Sequence, residues 1–134
     1  MTVIDSSGVV DFLLGTGVAA QIEMMLEREG ELAAPDLLVF EVLAVLRREA
    51  RRGLAADRAT AAAGDLGELP LALFPTLALR GRAWALRHNL TAADAIFVAL
   101  AEHLDEPLAT KDLPLARAVG KHAHAEVIEL GSSA

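Results

Sequence analysis

Asp5, Glu41, Asp94 and Asp112 are the residues whose type and spacing suit chemistry. Glu41 lies in Leu37-Leu38-Val39-Phe40-Glu41-Val42-Leu43-Ala44-Val45-Leu46, apolar almost all round, which predicts a helix buried on most faces. A buried carboxylate is costly unless it is paired or holds a cation. Its helical neighbours Leu37, Leu38, Ala44 and Val45 include no base. Asp94 repeats the pattern among Leu90, Thr91, Phe97 and Val98. Each acid also has an ordinary explanation. Glu41 sits near a helix N-terminus, where the macrodipole favours it. Thr91-x-x-Asp94 is a capping box, and Asp5 and Asp112 each stand between an apolar run and a helix, as N-caps do. The two explanations are compatible, because a capping carboxylate keeps an oxygen to present. Asp11, Asp36, Asp57, Asp65 and Asp105 read as surface or capping acids.

Brought together, the four acids define a chemistry. Two like charges ~4 Å apart at an effective dielectric of ~20 repel by roughly 4 kcal/mol. Such a cluster titrates upward or binds cations, and hard oxygen donors select Mg²⁺ or Mn²⁺ over zinc. A site of this kind activates water and stabilises the charge on a scissile phosphate.

The surrounding pattern predicts elements that bring the acids to one place. Short apolar runs at 3–4, 32–34, 71–74, 107–110 and 126–130 read as strands. Asp5-Ser6-Ser7-Gly8 reads as turn and cap. Helical periodicity runs from 9 to about 15, 18–28, about 36–52, 55–66, 76–88, 92–104 and 114–119. Strands alternating with helices predict an α/β fold, a mostly parallel sheet of four to five strands covered on both faces. Functional groups gather at the carboxyl ends of such strands. Asp5 and Asp112 follow strands directly, and Glu41 and Asp94 are expected in the first turns of helices starting at that edge.

Composition bounds the rest. The 134 residues suit a single domain spanning 1–134. A hydrophobic content of 54% excludes disorder, and the absence of cysteine excludes disulfides and thiolate zinc sites. No basic leader and no apolar run of membrane length are present, so a soluble cytoplasmic protein is expected. Nineteen acids against 12 bases, a net charge of −7, argue against tight nucleic-acid binding by bulk electrostatics.

Four stretches carry a family resemblance: Val3-Ile4-Asp5-Ser6-Ser7, Ala34-Pro35-Asp36-Leu37-Leu38-Val39-Phe40-Glu41-Val42, Thr91-Ala92-Ala93-Asp94-Ala95-Ile96-Phe97-Val98-Ala99-Leu100-Ala101 and Pro107-Leu108-Ala109-Thr110-Lys111-Asp112. In order and spacing they resemble a PIN-domain ribonuclease of the VapC toxin type, over nearly the whole chain. The resemblance implies a three-layer PIN-like fold with Asp5, Glu41, Asp94 and Asp112 as a catalytic quartet. It implies one or two Mg²⁺ or Mn²⁺ ions on Asp5, Asp94 and Asp112, with Ser7 and Thr110 as supporting polar residues. It further implies an endoribonuclease that is the toxin of a type II toxin–antitoxin pair, a homodimer inhibited by a cognate VapB-like antitoxin. The expected mechanism is in-line attack of a metal-activated water on a phosphodiester, with Glu41 or Asp94 orienting or deprotonating it.

Other residues receive secondary readings. Lys111, Arg117 and Lys121, near Asp112 in sequence, are candidates for phosphate contacts. Arg47, Arg48, Arg51 and Arg52 read as a solvated helix end complementing the dipole. His88, His103, His122 and His124 read as surface residues. With one Trp, four Phe and no Tyr, base stacking on an aromatic platform is a poor model. The apolar excess in the first four helices suggests burial against a second copy or an antitoxin. Two alternatives remain: a PIN-type nuclease in RNA maturation, and a Mg²⁺-binding phosphoacceptor signalling module. The second needs an acid pair near the first strand and a lysine after a late strand.

Overall fold

The central strands are short apolar runs covered on both faces. In the computed structural model, which describes residues 1–131, β1 (Val3–Ile4), β2 (Leu32–Pro35) and β4 (Leu108–Thr110) are buried throughout. Strands buried on both faces read as continuous apolar runs rather than alternating ones. The edge strands β3 (Leu71–Phe74) and β5 (Val127–Glu129) are only partly covered. The sheet order is β3-β2-β1-β4-β5 and every pairing is parallel, so the expected "mostly parallel" sheet is wholly so. Val3 is in register with Ala33 on one side and Leu108 on the other, which sets the ends of β1 and β4 side by side.

The first helical group is α1 (Ser6–Leu14), α2 (Ala19–Glu29), α3 (Leu37–Arg51) and α4 (Ala56–Leu66), with α1 touching the other three. The second holds α5 (Arg80–Ala85) and α6 (Ala92–Leu104); α6 lies against β1, β2 and β4 with Phe97, Val98 and Leu100 in the core. The last helix, α7 (Leu113–His122), packs on β4 and β5 through Leu115 and Val119. Gly15, at φ +68°, ends α1 in the left-handed conformation that favours glycine.

Four expectations change. First, α1 begins at Ser6 rather than Val9, because Asp5 accepts the Gly8 N–H and draws the serines into the first turn. Second, the helix expected at 76–88 is broken. Thr76–Leu79 forms a 3-10 turn, α5 ends at Ala85, and turns follow to Leu90. Asp36 accepts from both the N–H and the hydroxyl of Thr76, which ties down the start of this segment from outside it. Third, α7 is longer than expected: it starts at Leu113 under the Asp112 cap, with Pro114 suited to its first turn, and continues past Val119 to His122. Fourth, α3 is not buried on most faces. Leu38, Val42 and Leu46 line the core, but Phe40 is 63% exposed and Val39 and Leu43 also face outward. An apolar residue on every side does not require a neighbour on every side.

Among the described residues, no single helix is long and apolar enough to cross a membrane.

Candidate active site

Asp5 is fixed from three directions. As the N-cap of α1, its Oδ1 accepts the Gly8 N–H and the Ser7 hydroxyl, each at 3.1 Å. Its Oδ2 accepts the hydroxyl of Thr110, a buried side chain at the end of β4. The same Thr110 oxygen accepts the Asp112 N–H at 3.1 Å. Thr110 therefore ties the acid after β1 to the acid after β4, and Ser7 and Thr110 both donate to Asp5.

Asp112 is the N-cap of α7, with Oδ1 accepting the Leu115 N–H at 3.0 Å. Asp94 is the third residue of α6, whose N-cap Thr91 accepts the Asp94 N–H at 3.2 Å. Glu41 lies in the second turn of α3, not the first as expected, and its Oε1 accepts the Ser6 hydroxyl at 3.0 Å. Ser6 was not singled out from sequence. The only signal for it was its place after Asp5, in the first turn of a helix entering the site.

All four acids line one cavity of about 180 Å³ at the carboxyl edge of the sheet. Ser6 and Ser7 complete its polar wall, and Phe97 and Leu115 form an apolar one. Larger cavities run along α3 and α5 with at most one acid each, and one of about 280 Å³ at the end of α6 is lined by Asp105, Glu106 and Glu126, away from the carboxyl edge of the central strands. The carboxylates share the space without closing into a preformed coordination shell: among the described residues, no three acids or histidines stand at metal-holding geometry.

Burial raises Asp5 above the ordinary aspartate range, opposed by hydrogen bonds from Thr110, Gly8 and Ser7 and by the Lys111 charge. Burial also raises Glu41, against the Ser6 hydrogen bond and with added repulsion from Asp94 and Asp5. Asp94 is raised by burial, less the effect of the Thr91 hydroxyl, with the charges of Asp112 and Asp5 adding to the shift. The three shifts share a sign, as expected of one anionic cleft.

The basic candidates are placed differently. Lys111 is engaged by Asp11 at 2.7 Å, so it does not stand free for phosphate, and Asp11 also accepts the Val18 N–H. Arg117 and Lys121 are exposed on α7 outside the cavity lining. The four arginines at the end of α3 are exposed, with Arg48 and Arg52 beside Glu49. All four histidines are exposed and away from the cavity.

A five-stranded parallel sheet with helices around it, whose carboxyl edge carries four convergent acids, defines an α/β protein with a carboxylate cleft. Residues 2–121 match the PIN domain family. Ribonuclease VapC1 of Mycobacterium tuberculosis is 41% identical over 120 residues, covering 88% of this chain and 90% of that one. Ribonuclease VapC12 of the same organism is 33% identical over 129 residues, covering 96% and 99%. The crystal structure of PAE2754 from Pyrobaculum aerophilum has the same fold, with a TM-score of 0.66 at 21% identity over 94% of this chain and 81% of that one. The chain belongs to the PIN-domain family and, within it, to the VapC group.

Proposed function

We propose that this protein is a divalent-metal-dependent endoribonuclease, the toxin of a type II toxin–antitoxin pair, acting in the cytoplasm as a single PIN domain. The observation that carries the reading is the convergence of Asp5, Glu41, Asp94 and Asp112 on one cavity, in a chain whose relatives are named VapC ribonucleases.

The donor set fits Mg²⁺ or Mn²⁺. It is made only of hard oxygens, carries up to four negative charges, and has no cation among its lining residues. A carboxylate offers about four lone-pair sites. Asp5 has three occupied by Ser7, Gly8 and Thr110. Asp112 has one occupied by Leu115. Asp5, Asp94 and Asp112 would therefore hold the ion without giving up their caps.

When bound, the cation supplies Lewis-acid stabilisation of the phosphoryl oxygens and a lower pKa for water. Glu41 supplies the base. Its raised proton affinity suits it to take the proton of the attacking water, and the Ser6 hydroxyl fixes the direction of its carboxylate. The water oxygen bonds to phosphorus as the P–O3′ bond breaks. The departing 3′ oxygen takes a proton from solvent, leaving a 5′-phosphate and a 3′-hydroxyl. Phe97 and Leu115 close the wall behind the acids.

The outward apolar residues of α3 together with Leu73 on edge strand β3 form a face suited to a protein partner, either a second copy or a VapB-like antitoxin. The phosphoacceptor alternative has no comparable support, since Lys111 is paired with Asp11. The test is cleavage of total RNA with Mg²⁺ or Mn²⁺ against chelator, comparing wild type with Asp94→Asn. Metal-dependent cleavage lost in the variant supports the proposal, and unchanged cleavage by the variant ends it.

A further inference from the structure

A second cavity, of about 540 Å³, opens beside α6 between the 3-10 turn and α5. Its size lies in the range of ligand sites, roughly 300–1,000 Å³. Trp84 and Leu77 stand at it 69% and 73% exposed, while Leu90 and Ile96 form its apolar base. Arg80 and Arg87 line it as well, and no acid does. Arg87 lies over the indole, 4.6 Å from the ring centroid. Neither arginine has a carboxylate partner among the described residues. Each is oriented by one hydrogen bond to its own turn, Arg80 to the Leu77 carbonyl and Arg87 to the Trp84 carbonyl. A guanidinium has five N–H donors, so both keep donors for a ligand.

An exposed indole flanked by two unpaired arginines is suited to a planar base attached to a phosphate. We infer that this cavity is a subsite for one unpaired nucleotide of a single-stranded RNA substrate, its base on Trp84 and its phosphate on Arg80 and Arg87. The inference rests on the ribonuclease reading and extends it to how an acidic chain engages RNA. Thr91 connects the two places: it lines this cavity and caps the helix that carries Asp94. Thr91 and Asp94 are three residues apart, about 4.5 Å along the helix axis. A strand held in the subsite therefore passes next to the acid cleft. An apolar protein partner fits less well, because covering Trp84 would bury two guanidinium charges without counter-ions. Aromatic residues are too few in this chain for an extended stacking platform, but one exposed ring suffices for one base.

Trp84 is the only tryptophan and the chain has no tyrosine, so indole emission reports on this cavity alone. Wild-type protein in EDTA is titrated with a single-stranded hexaribonucleotide, an abasic hexamer of equal charge, and a poly-glutamate peptide. The expected result is quenching by the hexaribonucleotide alone. Trp84→Ala should weaken binding of a labelled hexamer about tenfold by anisotropy, the scale of one base–aromatic stack. Trp84→Phe, which keeps a smaller ring, should fall between and covers the case in which alanine does not fold. The Arg80→Gln/Arg87→Gln pair should weaken binding and lower the salt slope by about 0.7 for each phosphate no longer neutralised. No binding, binding with unchanged emission, equal quenching by the abasic hexamer or the peptide, or emission that follows protein concentration instead of RNA would each overturn the subsite. The last result would assign the face to a second copy. Metal-dependent RNA cleavage without quenching retires the subsite and leaves the nuclease. Quenching without cleavage does the reverse.

Discussion

Replacing Asp94 by asparagine keeps the size of the side chain and its hydrogen-bonding capacity toward Thr91, and removes one negative charge from the cleft. Burial is the largest cause of the raised Asp94 proton affinity, and two unit charges ~6 Å apart at an effective dielectric of ~20 add a repulsion of ~3 kcal/mol. Asp5 and Asp112 both act on Asp94 in this sense. The cleft is open to water, which screens most of the repulsion. The expected net effect is that Asp94→Asn, in chelator at pH 7, is about 1–2 kcal/mol more stable than wild type, a rise in Tm of roughly 4–8 °C for a chain of this length. The sign follows from linkage. Asp94 has a folded pKa above its unfolded value, so its ionised form disfavours the fold. That penalty is absent below the ordinary aspartate pKa of about 3.9. It grows as pH rises through the raised folded value and is complete above it. The stability gap should therefore open from acid toward neutral pH and then level off. Divalent metal should reverse the order. An ion bound only by the folded wild type adds about 2.7 kcal/mol at a hundredfold excess over its Kd, and the variant binds it poorly. The assay is thermal unfolding followed by circular dichroism from pH 4 to 8, with EDTA and with Mg²⁺, alongside RNA cleavage. A variant that melts at or below wild type in EDTA at pH 7, or a gap that ignores pH, would refute the reasoning.

Three further perturbations test separate parts of the structure. Ser6→Ala removes the hydrogen bond that holds Glu41 down, so the Glu41 pKa should rise further; the acid limb of the kcat profile should move to higher pH while thermal stability changes by less than about 1 kcal/mol, the scale of one hydrogen bond. Glu102→Gln weakens the two-point contact with Arg82, at 2.6 and 3.0 Å. The Arg82 side chain is 38% exposed, so the expected cost is only about 1 kcal/mol. Glu102 is held below its ordinary range chiefly by the Arg82 hydrogen bond. Its stabilisation is present above about pH 4.3 and lost as pH falls through the folded value, so urea unfolding should separate the proteins most at pH 7, with the gap closing progressively as pH falls below the ordinary glutamate range. Gly8→Ala places a Cβ 2.9 Å from Ile4 Cδ1 and 3.4 Å from Asp5 Oδ1. Ile4 is wholly buried, so a loss of about 1–3 kcal/mol is expected, with Mg²⁺ affinity by calorimetry falling as Asp5 is displaced.

The legible part of the sequence was local and obligatory. A carboxylate inside an apolar helix, as at Asp94, or directly after an apolar strand, as at Asp5 and Asp112, stands out because burial of charge is expensive. The three central strands stood out because buried strands tolerate little polar interruption, and the two edge strands by their short apolar runs. What escaped depends on contacts distant in sequence. Asp36 looked like a surface acid, and its role appears only through Thr76, forty residues away. Lys111 looked free because its partner Asp11 is a hundred residues away. The outer face of α3 looked buried because periodicity records where apolar residues lie, not what covers them. Trp84 carried no periodic signal at all, being a single residue on a helix of six.

The capping and site readings of the acids describe one device. Asp5 and Asp112 cap α1 and α7, and Asp94 lies in the first turn of α6. Three helix N-termini therefore point at the cleft, each carrying partial positive charge worth about 0.3–1 kcal/mol to a nearby anion. Together they offset part of the repulsion that three aspartates would otherwise impose on the fold. Glu41 is the exception. It lies a turn deeper in α3, beyond the useful reach of that dipole, and takes a single hydroxyl from Ser6 instead. Among the described residues it accepts, like the Asp94 carboxylate, no backbone N–H, only a hydroxyl. That fits a group that takes and returns a proton, whereas Asp5 and Asp112, each held by a backbone N–H as a helix cap, suit groups that stay in place. Asparagine at the two capping positions should therefore preserve the fold far better than alanine, while glutamine at 41, which removes a carboxylate raised by burial as Asp94 is, should stabilise the metal-free fold and remove the base.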